Sequence, residues 1–165
     1  MSEKVLDRIS EAYYGELTDL SKEKAKRRID WMIENVKGEN ILDVGCSQGI
    51  TSILLGKQGK NVIGIDAEDE QIKYANEDKK KQGLDKNVEF VCGDFSNYKF
   101  NKTFDTIVMG EILEHLFNPK LFIDRAVELL NEDGRLVITV PFGINPFPDH
   151  KRTFYFTELF KMVNE

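Results

Sequence analysis

From position 40 onward, short apolar runs alternate with longer stretches in which apolar residues recur every three or four positions. The runs are Ile41-Leu42-Asp43-Val44-Gly45, Asn61-Val62-Ile63-Gly64-Ile65, Val88-Glu89-Phe90-Val91, Phe104-Asp105-Thr106-Ile107-Val108-Met109 and Arg135-Leu136-Val137-Ile138-Thr139-Val140. Each has strand length, and their clustered apolar positions are those of strands covered on both faces. The periodic stretches open near Gly49 (Ile50, Ile53, Leu54), near Asp69 (Ile72, Ala75) and at Asn118-Pro119 (Phe122, Ala126, Leu129, Leu130). Asn before Pro reads as a helix cap followed by the first helical residue, and Gly134 as the stop. Only 96–103 is too short for a full helix. Strands alternating with helices predict an α/β domain: a doubly wound parallel sheet with helices on both faces.

Ahead of this pattern, Ala25, Ile29, Met32, Ile33 and Val36 share one stripe of a helix predicted over 21–38, with Ser21 as cap and Gly38 as stop. Val5, Leu6, Ile9, Tyr13 and Leu17 mark a weaker helix or lid, whose Tyr13-Tyr14 pair is expected to pack on the surface. Residues 1–38 thus form an N-terminal helical segment. After the last strand come a Pro- and Phe-rich loop, 141–151, and one short helix that Thr157 is placed to cap.

Composition narrows the class. The 165 residues are enough for about one domain. A formal net charge of −6 disfavours a nucleic-acid substrate. No apolar run is long enough to span a membrane and the charged start is no signal peptide, so a cytoplasmic location is expected. Cys46 and Cys92 are too few for a disulfide scaffold or a zinc cluster.

The chemistry collects at strand ends. Asp43-Val44-Gly45-Cys46-Ser47-Gln48-Gly49 joins the first strand to a helix, with glycines where the backbone turns sharply and approaches a ligand at a helix N-terminus. Asp66 ends the second strand 21 residues past Gly45, the spacing at which an acid grips ribose hydroxyls. Asp94, in Gly93-Asp94-Phe95, ends the third, and Glu111 ends the fourth. Asp43, Asp66 and Asp94 are acceptors suited to an ammonium group, a ribose diol and an adenine amino group. S-adenosylmethionine carries all three, bears a sulfonium charge and has no phosphate, in keeping with a loop that lacks Lys. Singly, each acid serves equally well as a loop or helix cap.

At these positions the sequence resembles the class I S-adenosylmethionine-dependent methyltransferases, over about 36–160. The carriers are ILDVGCSQG, VIGIDAED, VEFVCGDF, FDTIVMGEILEHLFNP and GRLVITVPFG, in that family's order and spacing. The resemblance implies a Rossmann-like sheet in the order 3-2-1-4-5. It implies S-adenosylmethionine as cofactor, with Gly45 and Gly49 shaping the methionine pocket, Asp66 on the ribose and Asp94 with Phe95 framing the adenine. Cys46, Ala67, Gly93 and Glu111 fall in the same segments and are expected to line that site. In that strand order Cys46 and Cys92 sit two strand spacings apart, about 9 to 10 Å, too far for a disulfide. The family's sheet ends in a reversed pair of two further strands, lacking here. The expectation is one methyltransferase domain over 1–165, truncated at its C-terminus, with a fused or missing C-terminal region to complete it.

On the acceptor side, His115 and His150 are the side chains whose ordinary pKa suits a general base near neutrality. Glu111, Glu114, His115 and His150 are also ligand types for a divalent ion. Similar E-x-x-E-H segments hold metal in ubiquinone-pathway O-methyltransferases and in methyltransferases of small-RNA 2′-hydroxyls. The reading adopted is that no metal is needed: Glu114 and His115 cap the next helix, while Glu111 lines the cofactor pocket. His150 serves as a base or as a solvated loop residue. Phe142, Phe147, Phe154, Tyr155 and Phe156 form an apolar acceptor wall or pack beneath absent strands. The function expected is methylation of a small hydroxylated metabolite or sugar at oxygen, with no nucleic-acid or membrane partner. The alternatives are a nicotinamide-dependent oxidoreductase, a metal-dependent RNA 2′-O-methyltransferase and a non-catalytic cofactor-binding module.

Overall fold

The computed structural model describes residues 8–144 and 149–164. Five parallel strands, β1 (Asn40–Val44), β2 (Asn61–Asp66), β3 (Val88–Cys92), β4 (Phe104–Gly110) and β5 (Leu130–Thr139), lie in the order β3-β2-β1-β4-β5. That is the expected sheet, and among the described residues it has no sixth strand. Two apolar layers flank it. On one face Ile41, Val62, Val88 and Val108 meet α2 (Asp19–Glu34), α3 (Ile50–Lys57) and α4 (Asp69–Lys81). On the other, Leu42, Val44, Ile107 and Met109 meet α5 (Pro119–Leu129). Alternate side chains of β1 are therefore divided between two cores, which is why the strand reads as almost continuously apolar.

The short α1 (Ile9–Tyr14) lies against α2 and α3. Its Tyr13 hydroxyl donates to Asp30 at 3.4 Å and its Tyr14 hydroxyl to Asp78 at 3.4 Å; the Tyr14 ring is on the surface as expected, whereas Tyr13 is half-buried against the core. Val5 and Leu6 lie outside the described residues.

Four boundaries differ from the sequence pattern. Thr18, not Ser21, caps α2: its hydroxyl accepts the Ser21 N–H at 3.2 Å, one of the donors a helix start leaves unpaired. That helix ends at Glu34; Gly38 (φ +76°) instead serves the turn into β1, where a Cβ would come within 2.2 Å of Asp105. Helix α5 begins at Pro119 as the Asn-Pro pair predicts, though the Asn118 side chain makes no capping bond. Gly134 does not stop α5, which ends at Leu129 and passes directly into β5. The pairing with β4 jumps from Phe104↔Leu130 to Thr106↔Arg135, so 131–134 bulge out, held by the Asn131 amide donating to Asp105 at 2.6 Å. Finally, Thr157 lies within α6 (Phe156–Asn164), because the Tyr155 carbonyl accepts the first helical N–H groups, from Glu158 and Leu159.

Candidate functional site

The turn after β1 folds back on the end of β2. The N–H groups of Gly45 and Cys46 both donate to the Ile65 carbonyl, at 2.8 and 3.1 Å. Gly45 needs its φ of +69° and also its missing side chain, since a Cβ would lie 2.4 Å from Ile112. Ser47 takes a left-handed φ of 47° without being glycine, and its N–H donates to Asp66 Oδ2 at 2.8 Å. Asp66 Oδ1 accepts the Glu68 N–H at 2.9 Å. One carboxylate thus ties the glycine turn to the entry of α4. Gly49 (φ +80°) opens α3 and lines neither of the two cavities at this edge: a Cβ there would strike Phe90 and Ala75, so its smallness serves the core.

Asp43 is buried in β1, where its Oδ2 accepts the Ser52 hydroxyl at 2.7 Å. Burial, opposed by the Ser52 hydrogen bonds, pushes its pKa up to about 6. Asp94 accepts the Ser96 N–H and hydroxyl and the Asn97 amide at 2.8 to 2.9 Å, bonds that hold its pKa below the usual carboxylate range. Next to it Phe95 is buried against Phe122, ring centroids 5.3 Å apart.

Two cavities meet at this edge. The first, about 460 Å³, is lined by Gly45, Asp66, Ala67, Gly93, Asp94 and Phe95. The second, about 310 Å³, is bounded by Ile9, Ile29 and Met32 of the N-terminal helices and by Asp43, Cys46 and Glu114. Gly45, Ser47, Gly110, Glu111 and His115 belong to both. Cys46 is a buried thiol whose pKa burial pushes well above its ordinary value, which leaves it unreactive. Cys92 is exposed, and neither cysteine is in a disulfide.

The acceptor-side residues depart from the sequence reading. Glu114 and His115 do not cap α5; they sit in a separate 3₁₀ turn (Leu113–His115), and the residue at the α5 cap position is Asn118. Glu114 is buried, its Oε2 has no hydrogen-bond partner, and desolvation lifts its pKa to about 7. Its Oε1 lies 4.0 Å from His115 Nε2. His150 is not a solvated loop residue: its ring meets that of His115 edge to face, centroids 5.0 Å apart. Donor atoms of Glu114, His115 and His150 fall within 4.8 Å of one another, a spacing that one metal ion can span. Glu111, the fourth candidate ligand, pairs with Arg28 at 3.2 Å and holds a left-handed φ of 54°. None of Phe142, Phe154, Tyr155 and Phe156 lines either cavity: Phe154 is in the core and the other three are exposed, while Phe147 lies outside the described residues. The apolar wall comes instead from Ile9, Ile29 and Met32.

Sequence reasoning also missed Arg28 and Ser47. Arg28 reads as one more cation on a polar helix face; its one signal is its place beside Ile29 of the buried stripe. Ser47 has none, because nothing in the string marks its left-handed backbone.

A family profile described as "Methyltransferase domain" matches residues 35–157. The chain belongs to the class I S-adenosylmethionine-dependent methyltransferases. This methyltransferase domain is 40% identical over 107 residues to the mitochondrial ubiquinone biosynthesis O-methyltransferase of Bos taurus, covering 63% of this chain and 29% of that protein. It is 31% identical over 130 residues to a probable (S)-tetrahydroprotoberberine N-methyltransferase 2 of Papaver bracteatum, covering 78% and 33%. The domain thus spans about a third of the length of these relatives. Among solved structures it resembles coclaurine N-methyltransferase bound to N-methylheliamine and SAH (TM-score 0.65, 25% identity, 73% of this chain and 37% of that one). It resembles the [4+2]-cyclase SpnF in fold alone (TM-score 0.75, 20% identity, 87% and 57%). No helix among the described residues is long and apolar enough to cross a membrane.

Proposed function

We propose that this domain transfers the methyl group of S-adenosylmethionine to a hydroxyl of a small acceptor. The observation that carries the reading is the meeting of two cavities at Gly45, Glu111 and His115, so that a ligand filling the first presents its reactive end to the second. In this reading Asp66 takes the ribose, Asp94 and Phe95 frame the adenine with Ala67 and Gly93, and Gly45 lets the methionine portion pass close to the backbone. Arg28 and Asp43 face the two charged ends of the amino acid. Sulfonium chemistry needs little activation, so the chain's own work is alignment and removal of the acceptor proton. His115, backed by Glu114 and His150, is placed for that second task. Support for a hydroxyl over an amine is the presence of a candidate base, since a neutral amine attacks without prior loss of a proton and a hydroxyl does not; the relatives include enzymes of both kinds.

Isothermal titration with S-adenosylmethionine and with NAD tests the cofactor half, and binding of NAD in place of S-adenosylmethionine would sink it. Incubation with methyl-labelled S-adenosylmethionine and a set of catechols, simple sugars and aliphatic amines tests the rest. Label transferred only to amines would overturn the hydroxyl reading.

A second reading is favoured by one observation, the convergence of Glu114, His115 and His150. One carboxylate and two imidazoles suit Zn²⁺, Fe²⁺ or Mn²⁺, and the orphaned Glu114 oxygen fits such an ion. The ion would polarise the acceptor oxygen. Full activity after exhaustive chelation decides against it.

A further inference from the structure

His150 reaches His115 from a segment far away in sequence, and something must hold it there. The segment lies on the 3₁₀ turn through its backbone: the N–H groups of Lys151 and Arg152 both donate to the Glu114 carbonyl, at 2.7 and 3.3 Å. Two backbone bonds to one oxygen tie the segment to the turn at a single pivot. Beyond the pivot, Phe154 anchors the chain in the core, its carbonyl accepting the Gly143 N–H at 2.9 Å. Between pivot and anchor, the Arg152 guanidinium reaches across the turn. Its Nη2 donates to the Phe117 carbonyl at 3.1 Å, and its Nη1 lies 3.5 Å from Glu158 of α6. A planar group with two diverging nitrogens holds a backbone oxygen and a carboxylate apart in a fixed geometry, which the single nitrogen of a lysine does less well.

We propose that Arg152 is a positioning residue: by clasping the Phe117 carbonyl and Glu158 at once, it fixes the 149–154 segment on the 3₁₀ turn and holds the His150 ring against His115 and Glu114. Arg152 lines neither cavity, so its effect on methyl transfer passes through His150. The catalytic part of this inference rests on the proposed role of His115 and His150; the geometric part does not.

The chain has two histidines, so long-range proton–nitrogen spectra of the full protein contain two ring signatures. In Arg152→Ala the His150 ring is expected to move to the shifts of a free imidazole and His115 to move with it, while Arg152→Lys gives intermediate shifts. Both rings unchanged in a folded Arg152→Ala protein overturns the proposal. If Arg152→Ala does not fold, Arg152→Lys is read alone, and native shifts there overturn it equally. With S-adenosylmethionine and catechol as the probe pair, kcat should fall about tenfold in Arg152→Ala, with KM for S-adenosylmethionine within about twofold. Adding His150→Ala to that background should cost less than about twofold more; full additivity of the two losses counts against the clasp. Unchanged turnover in His150→Ala alone removes His150 from the catalytic reading and leaves the ring spectra to judge the geometry.

Discussion

The two cavities are built on opposite principles. In the first, the carboxylates already have partners: Asp66 accepts two backbone N–H groups, and Asp94 accepts the Ser96 N–H, the Ser96 hydroxyl and the Asn97 amide. In the second, Glu114 is buried with an unpartnered oxygen beside two imidazoles, and Asp43 is buried with Ser52 as its hydrogen-bond partner. A carboxylate fixed by backbone donors stays ionised and changes little when a ligand arrives, which suits recognition. One left short of donors in a dry wall takes up a proton readily, which suits chemistry. On the proposed reading Asp66 and Asp94 hold the ligand, while Glu114 with its two histidines does the chemistry.

The largest effect that should separate the two halves is on turnover. Replacing Glu114 by Gln or His115 by Ala should lower methyl transfer by about 10² to 10⁴, the usual contribution of a positioned base, with S-adenosylmethionine affinity unchanged by calorimetry. A parallel loss of affinity would erase the distinction between the cavities.

Next in size is a pH effect. Asp43 has a folded pKa of about 6 against an ordinary value of 3.8, so its native form keeps a proton that the unfolded chain has already lost between those values. That stabilisation is complete below pH 3.8 and gone above about pH 6, a fall of about 3 kcal/mol at most. Asp43→Asn, which can still accept from Ser52, should flatten the unfolding free energy over this window and leave the variant the more stable one at pH 8. Chemical denaturation at pH 4 and pH 8 measures it, and parallel curves for the two proteins would contradict the burial argument.

On the recognition side, Asp66→Ala should weaken S-adenosylmethionine binding by about 1.5 to 3 kcal/mol, the range for hydrogen bonds to a charged group. Because Ser47 and Glu68 lose their acceptor too, the melting temperature of the free protein should also drop. A folded variant with native affinity would show the ribose assignment to be wrong.

The smallest effect concerns Ser47. Its left-handed backbone costs about 1 to 2 kcal/mol, partly offset in a Ser47→Gly protein by the greater freedom of glycine in the unfolded chain. A net gain of up to about 1 kcal/mol is expected in urea unfolding, and a loss would mean the serine side chain contributes more than its strain removes.

These halves were also unequally legible. The first cavity is made at the ends of consecutive strands, so a run of apolar residues followed by Asp or Gly places each residue at the same edge whatever the tertiary detail. Asp66, Asp94 and Gly45 could be read from spacing for that reason. The second is assembled from α1, α2, the 3₁₀ turn and a segment beyond β5, and no local pattern brings Met32, Glu114 and His150 together. Caps were misread where two candidates compete within one turn: Thr18 and Ser21 are both good N-caps, and the backbone bend at Thr18 decides between them. Gly134 misled because a bulge and a helix stop use the same residue.

The carboxylates along the C-terminal edge of the sheet have one more consequence, for the rhythm of the catalytic cycle. On the proposed reading Asp43, Asp66, Asp94 and Glu111 are spread along the whole length of the cofactor, and Arg28 pairs with Glu111. In the proposed reaction the incoming cofactor carries a sulfonium cation and the spent one a neutral thioether, so the electrostatic pull of this edge would weaken as the methyl group leaves. On that reading the edge would favour fresh cofactor over spent, and added salt, by screening the acidic rim, should narrow the preference between the two.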